Sequence, residues 1–312
     1  MAALVCLFCL SSLSSTEVPV EMPAPSLQQS LIPNAGQQTL YVYLPQDYES
    51  SGMRYSVIYF LTGYGMDNRL DWIEEAVNQA MQVHPCILVS IPVRNELDGA
   101  FMASNQVVGD WESFICRDVL AYVDAHYRTL PSRENRFLAG FSMGGYGALR
   151  LGLEHADLFS AVYALAPGLF ADNGLEEAMP TWDETFLKAY GAAMAPDLSL
   201  PYPYAQIPLF DGSSRDKTIQ AKWNSGFGGG AQWIEDYLHQ SFRHRLIVIE
   251  AGAQDWYAWI PKGCCSFSSM LLESGIPHSL RITPNGHDLN AEIFTNGLAT
   301  ALFPLTMMLP DE

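Results

Sequence analysis

The feature that most constrains the fold of this chain is a series of short apolar runs separated by stretches of helical periodicity. Residues 55–61 (YSVIYFL) and 86–91 are almost continuously apolar, which is typical of strands buried on both faces. Residues 110–127, which follow them, instead repeat their apolar side chains at helical spacing. Such alternation predicts an α/β fold, a mostly parallel sheet with helices on both faces.

The same patterns predict the individual elements and the domain organisation. Strands are predicted at 39–44, 55–61, 86–91, 136–139, 159–164, 246–250 and 279–283, and helices at 72–81, 110–127, 144–153, 262–274 and 289–302. The alternation of strand and helix patterns is interrupted between about 168 and 243, where five prolines and three tryptophans occur. We interpret 168–243 as an irregular, cap-like insertion that walls a substrate pocket, within one domain of residues 39–312.

The N-terminal residues 1–15 are mostly apolar and end in small polar residues, although they lack a basic start. This pattern resembles a secretory signal peptide and predicts a secreted or periplasmic protein; the alternative is a disordered or wrongly started N terminus. Residues 16–38 are expected to form an N-terminal leader ahead of the domain. No later run is long enough to predict a membrane span.

Composition limits the class of partner. The chain has 312 residues, 49% of them hydrophobic, so it is long enough to bury a substantial core. It has 34 acidic and 16 basic residues and a formal net charge of -18. The resulting field repels polyanions, which argues against nucleic acid or an anionic lipid surface as a partner.

The cysteines and the absence of ligand motifs bear on cofactors. Removal of a signal peptide would leave Cys86, Cys116, Cys264 and Cys265, which can pair in three ways, and the sequence does not choose among them. Their spacing is not that of a zinc site, and no phosphate-cradling loop occurs. We therefore expect no metal and no cofactor, and the sequence does not indicate an oligomeric state.

Residues Gly140 to Gly144 match the G-x-S-x-G pattern, in which a serine occupies a sharp turn between a strand and a helix. The flanking glycines are required because a side chain there would collide with the adjacent strand or helix. An apolar strand precedes the motif and a helix-forming run follows it. Ser142 is therefore the predicted nucleophile; the alternative is a glycine-rich turn with an idle serine.

A serine hydroxyl needs a base that removes its proton as it attacks. His287 follows the predicted strand 279–283 within the turn-forming sequence PNGH, and the other six histidines lie at helix ends, strand starts or polar segments. His287 is the predicted base.

The acid that orients the base is expected between serine and histidine in the chain. Asp255 meets this condition, because it lies in the loop that leaves strand 246–250. Glu250, Asp211 and Asp216 are the rival carboxylates, and Asp288 is interpreted as a helix cap.

Attack by the serine creates an oxyanion that backbone N–H groups must stabilise. Met143 supplies one donor because it follows the nucleophile directly. Tyr64, between Gly63 and Gly65 in the loop after the second strand, is the predicted second donor. Both residues are thus expected to contact the substrate.

Three stretches carry a resemblance to a known family: VYLPQDY with YSVIYFLTGYG, the run from WESFICRD through GFSMGGYGALRLGL, and LIVIEAGAQDWY through PNGHD. Together they resemble the esterase D family of α/β-hydrolases, which includes S-formylglutathione hydrolases, feruloyl esterases and mycolyltransferases. The resemblance implies the α/β-hydrolase fold, a triad of Ser142, Asp255 and His287, and oxyanion donors at Met143 and Tyr64. Thr62 departs from the family, where His or Asp is frequent, and Ala156 departs from a common proline.

These observations lead to one leading hypothesis and three alternatives. The leading hypothesis is a serine esterase that hydrolyses a small-molecule carboxylic ester through an acyl-enzyme. An acyltransferase of the mycolyltransferase type and an S-formylglutathione-type thioesterase share the covalent step. A non-catalytic binding module on a hydrolase scaffold belongs to a different class, and it would be expected to have a broken triad.

Overall fold

The computed structural model describes residues 15–34 and 36–307, and its centre is an eight-stranded sheet. The strands are β1 Thr16–Pro23, β2 Gln37–Leu44, β3 Val57–Leu61, β4 Ile87–Ile91, β5 Arg136–Phe141, β6 Ala161–Leu165, β7 Leu246–Gly252 and β8 Ser279–Thr283. They lie in the order β1-β2-β4-β3-β5-β6-β7-β8. Strand β2 is antiparallel to both neighbours, and the other pairs are parallel, so the predicted mostly parallel sheet is confirmed.

Helices flank the sheet. They are α1 Glu74–Val83, α2 (residues 111–126), α3 Met143–Glu154, α4 Glu184–Met194, α5 Ser214–Asn224, α6 Gly230–His239, α7 Trp259–Glu273 and α8 (residues 291–302), with short helices at Tyr48–Ser51 and Gly174–Ala178. Every residue of β3, β4 and β6 is buried, as their continuous apolar sequences predict. Asn290, rather than Asp288, caps α8, because its side chain accepts a hydrogen bond from the Ile293 N–H at 3.0 Å.

Strand order decides where the parallel strands can form a crevice. The chain leaves β3 for β4 on one side and then returns to β5 on the other side of β3. Ligands of open α/β sheets bind at such a reversal, beyond the carboxyl ends of the strands. The segment after β3 and the serine after β5 meet at this edge.

The first part of the N-terminal leader predicted for 16–38, Thr16–Pro23, is in the structure a strand of the sheet. Strand β1 pairs antiparallel with β2 along its whole length, from Thr16 opposite Leu44 to Pro23 opposite Gln37. Its prolines are tolerated because β1 is an edge strand, where a missing N–H leaves no ladder partner unsatisfied. The predicted signal peptide falls almost wholly on residues 1–14, which lie outside the described residues.

The insertion at 168–243 contains three helices of 11, 11 and 10 residues, which corrects the expectation of an irregular segment. Helices α4, α5 and α6 fall within it, and four of its five prolines lie in the connection between α4 and α5 or next to it. The helix starts carry ordinary caps: Asp183 accepts from Phe186 N–H at 2.8 Å and Ser213 from Asp216 N–H at 3.1 Å. The prolines lie outside α4, α5 and α6, and four of them fall in the non-helical connection at 195–213.

The four cysteines of the described residues are free; Cys86, Cys116 and Cys264 are buried and Cys265 is exposed. Burial raises the pKa of the Cys264 thiol well above its usual range, which keeps it protonated and inert. Across the described ranges, no helix is both long enough and apolar enough to cross a bilayer.

Candidate active site

The turn between β5 and α3 holds Ser142 in a conformation that few non-glycine residues adopt. Its φ is 56° and its ψ is -117°, and its N–H donates to the Leu165 carbonyl at 2.8 Å. A Cβ at Gly140 would lie 2.1 Å from the Gly144 oxygen, and a Cβ at Gly144 would lie 2.0 Å from the Leu61 oxygen. Both glycines are therefore needed for this close approach of backbones, as the motif predicts.

The structure brings Ser142, His287 and Asp255 into one chain of hydrogen bonds. The Oγ of Ser142 lies 2.9 Å from Nε2 of His287, and Nδ1 of His287 lies 2.7 Å from Oδ2 of Asp255. The Asp255 side chain is fully buried and the His287 side chain is 8% exposed. This arrangement can remove the serine proton and hold the imidazole in one tautomer.

Two loops at the carboxyl ends of β7 and β8 hold the acid and the base together. A Cβ at Gly252 would lie 2.2 Å from the Asn285 oxygen, so only glycine permits the loops to come this close. Hydrogen bonds from Ala253 N–H to the Thr283 carbonyl at 2.7 Å and from Gln254 N–H to the Asn285 carbonyl at 3.0 Å join them. Tyr257 N–H occupies the other carboxylate oxygen of Asp255 at 2.8 Å.

The rival carboxylates have structural partners instead. Glu250 is buried, accepts from the Tyr163 hydroxyl at 2.5 Å and lies 3.3 Å from Arg281. Asp216 accepts from Leu209 N–H at 2.6 Å, and Asp211 accepts from Ser213 N–H at 2.8 Å. These contacts satisfy the rival carboxylates within the fold, and Asp255 is the carboxylate that contacts His287.

The predicted oxyanion donors lie beside the serine. Met143 is the first residue of α3, so its N–H has no acceptor within the helix. Gly63 approaches closely, since a Cβ there would lie 3.4 Å from the Ser142 Cβ. No hydrogen bond between described residues engages the Tyr64 N–H, whereas the next N–H, of Gly65, donates to the Asp98 carbonyl at 2.9 Å.

The segment from Gly99 to Phe101 packs against the two predicted donor residues, Tyr64 and Met143. A Cβ at Gly99 would lie 2.5 Å from Cδ2 of Tyr64 and 2.8 Å from Sδ of Met143. The Tyr64 ring also packs on Phe101 and Phe186, with centroids 6.0 and 4.7 Å away. This support was not predicted, since nothing local in the sequence relates Gly99 to the serine.

A cavity of about 250 Å³ opens in front of the serine. Its lining consists of Gly63, Tyr64, Met66, Phe141, Ser142, Met143, Gly168, Trp182, Phe186, Phe227, Trp256, Tyr257, Trp259, Ile260 and His287, with no Lys, Arg, Asp or Glu among these described residues. Such a cavity suits an uncharged, largely apolar group.

The insertion supplies part of the cavity wall, as predicted, through Trp182, Phe186 and Phe227. Trp223 and Trp233 are buried and do not line the cavity; Trp223 packs on Tyr190, with ring centroids 5.2 Å apart. The aromatic residues at 256, 257 and 259 were not predicted as part of the site. Their position next to Asp255, in the run DWYAW, was the signal that could have identified them.

One group of potential metal ligands occurs within the described part of the chain: Glu112, Glu154 and His155. Arg150 lies 2.6 Å from Glu112 and 3.0 Å from Glu154, so a fixed cation already compensates these carboxylates. The group lies at the far end of α3 from Ser142, and the chemistry at the serine does not use it.

Comparison with known proteins places the chain in a family. The Esterase family model, described as "Putative esterase", matches residues 35–262. Esterase Rv1288 of Mycobacterium tuberculosis is 24% identical over 284 residues, which cover 85% of this chain and 56% of that protein. The chain thus spans little more than half the length of this curated relative.

Solved structures show the fold. The S-formylglutathione hydrolase of Staphylococcus aureus superposes with a TM-score of 0.64 at 16% identity, covering 94% of this chain and 99% of that one. A ferulic acid esterase of Anaeromyces mucronatus, solved with ferulic acid, superposes with a TM-score of 0.57 at 18% identity, covering 94% and 92%. From the matched residues and the shared architecture, this chain belongs to the Esterase family and has the α/β-hydrolase fold of the serine hydrolases.

Proposed function

We propose that this protein is a serine esterase that hydrolyses a carboxylic ester through an acyl-enzyme on Ser142. The observation that carries the proposal is the pair of hydrogen bonds, 2.9 Å from Ser142 to His287 and 2.7 Å from His287 to Asp255. Family membership supports the same reaction class. We propose His287 as the general base and Asp255 as the residue that orients it.

The proposed reaction has two steps. In the first, the Ser142 Oγ bonds to the ester carbonyl carbon while its proton moves to His287 Nε2, and the N–H groups of Met143 and Tyr64 stabilise the oxyanion. The carbon–oxygen bond to the alcohol then breaks, and Nε2 returns the proton to the leaving oxygen. In the second, water loses a proton to Nε2 and attacks, and the acid leaves as Ser142 is reprotonated.

The direct test is Ser142→Ala, with Ser50→Ala, an exposed serine, as the matched control. We expect turnover of an aryl acetate or butyrate to fall to background in Ser142→Ala, and the control to match the wild type. Circular dichroism should show both variants folded. A fluorophosphonate probe should label the wild type and not Ser142→Ala; most activity surviving in Ser142→Ala would refute the proposal.

Two other reactions use the same acyl-enzyme. An acyltransferase would pass the acyl group to an alcohol, and product analysis with an added sugar or alcohol separates transfer from hydrolysis. A glutathione thioester is less well matched, because glutathione is anionic and none of the described residues that line the cavity is Lys or Arg. A non-catalytic module would be indicated if the fluorophosphonate failed to label folded protein.

We also propose that residues 1–15 direct export. Mass spectrometry of the protein recovered outside the cytoplasm should then find a new N terminus near residue 16. A full-length chain retained with the cytoplasmic fraction would contradict export without bearing on the esterase reaction.

A further inference from the structure

Trp256 differs from the other aromatic residues of the cavity in its exposure. It lines the cavity yet is 62% exposed, whereas Trp182, Phe227 and Trp259 are 9%, 3% and 5% exposed. The cavity therefore has an enclosed aromatic end and, at its mouth, one open indole face. Packing in the core therefore does not explain why a tryptophan occurs at position 256.

The exposed ring lies beside the proposed base. The centroid of the Trp256 ring is 5.5 Å from that of His287, at an interplanar angle of 62°. Its other neighbours are Tyr257, with a centroid 6.0 Å away, and Gly286, where a Cβ would lie 3.9 Å from the Trp256 ring. Trp256 thus flanks His287 on the solvent side.

The proton transfer in the proposed reaction indicates which half of the ester lies near Trp256. When the bond between the carbonyl carbon and the alcohol oxygen breaks, His287 Nε2 gives that oxygen the proton it took from Ser142. The leaving oxygen must therefore lie within hydrogen-bond reach of Nε2. The rest of the alcohol then extends from His287 towards solvent, past Trp256.

Building on the esterase function proposed above, we infer that Trp256 is a specificity residue that binds the alcohol half of the ester through a flat, uncharged ring. An indole face attracts the face or C–H edge of another ring. Among the lining residues that the structure describes there is no Lys or Arg to pair with an anion, and a net charge of -18 repels one. An aryl ring and a sugar ring share the required chemistry.

The enclosed end of the cavity, walled by Trp182, Phe227 and Trp259, is left for the acyl half. The same division applies to an alcohol that accepts the acyl group. By microscopic reversibility such an acceptor enters where the alcohol left, gives its proton to Nε2 and therefore also passes over Trp256.

The test compares three acetate esters that form the same acyl-enzyme: ethyl acetate, benzyl acetate and methyl 6-O-acetylglucoside. In Trp256→Ala we expect kcat/KM to fall about tenfold for the two ring-bearing alcohols and to stay within twofold for ethyl acetate. Where deacylation limits turnover, kcat should not change, because the alcohol has already left. Trp256→Phe, which keeps a ring, should retain most of the preference.

The control is Phe242→Ala, which removes an exposed aromatic side chain shortly before β7, away from the carboxyl ends of the strands. It should leave all three kcat/KM values unchanged. In Trp256→Ala, a fall in kcat/KM for benzyl acetate alone would identify the preferred alcohol as aryl. A fall for the glucoside alone would identify it as a carbohydrate. An equal loss for all three esters, or none for the ring-bearing ones, would overturn the inference.

Wild-type turnover of ethyl acetate tests the esterase proposal by itself. The ratio of kcat/KM for the ring-bearing esters to kcat/KM for ethyl acetate tests the role of Trp256. An active enzyme whose ratio is unaffected by Trp256→Ala contradicts only the inference about the alcohol. A folded wild-type protein that hydrolyses none of the three esters and that a fluorophosphonate does not label contradicts both.

Discussion

Replacement of Asp255 by asparagine tests the proposed orientation of the imidazole, because the structure dictates how the new amide must lie. Tyr257 N–H donates to Oδ1 of Asp255 at 2.8 Å, and the side chain is fully buried. An asparagine must keep its oxygen towards this donor, since a buried N–H without an acceptor costs about 1–3 kcal/mol. Its NH₂ group then faces Nδ1 of His287, in place of the acceptor that lies there at 2.7 Å.

An NH₂ group at that place forces His287 into the wrong tautomer. Nδ1 must then accept, so the proton moves to Nε2, which can no longer take the proton of Ser142. A serine protease with the same change loses about 10⁴ in kcat, equivalent to about 5 kcal/mol of transition-state stabilisation. We expect a loss of this order for Asp255→Asn.

The assay is burst and steady-state hydrolysis of an aryl acetate near neutral pH, with Asp288→Asn as the control. Asp288 is the exposed carboxylate next to His287, so its variant changes the same charge without entering the hydrogen-bond chain. We expect the control to stay within about threefold of the wild type, because exposed charges interact weakly. An Asp255→Asn enzyme that keeps kcat within tenfold of the wild type would refute the tautomer argument.

Two further predictions concern the support of the site and the stability of the fold. Gly99→Ala should lower kcat about 10- to 100-fold, because its Cβ would lie 2.5 Å from the Tyr64 ring and displace Tyr64, the proposed oxyanion donor. The control is Gly36→Ala, whose Cβ meets nothing within 4 Å, and equal kcat values for the two variants would contradict this role. His155 Nε2–H donates to the Glu112 carboxylate at 3.0 Å, and this hydrogen bond raises the pKa of His155 above its usual value. The stabilisation that it contributes is therefore fully present below the usual pKa and is lost as pH rises through the raised one. In urea unfolding, His155→Gln should therefore lower the free energy of unfolding more at pH 5.5 than at pH 9, and an equal loss at both would show that the ion pair contributes nothing.

Much of the fold could be predicted from the sequence, because its signals are local. Strand β8 has the predicted bounds, and the other predicted strands and helices differ mainly by a few residues at their ends. The main errors lie at 16–38 and 168–243. The sequence predicts a leader at 16–38, but Thr16–Pro23 pairs with β2, and it predicts an irregular insertion at 168–243, but α4, α5 and α6 form there. Both outcomes depend on packing against distant parts of the chain, which local patterns do not show.

The sequence by itself determined the turn at Ser142, since the need for glycine at 140 and 144 is a matter of a few adjacent residues. It also determined the order of serine, acid and base along the chain. The tertiary structure alone decided that the rival Glu250 contacts Tyr163 and Arg281. It also decided that Gly99 lies against Tyr64 and that Trp256 is exposed at the cavity mouth. The physical reason is distance along the chain: Ser142 and His287 are 145 residues apart, and contacts of that separation depend on how the whole sheet is packed.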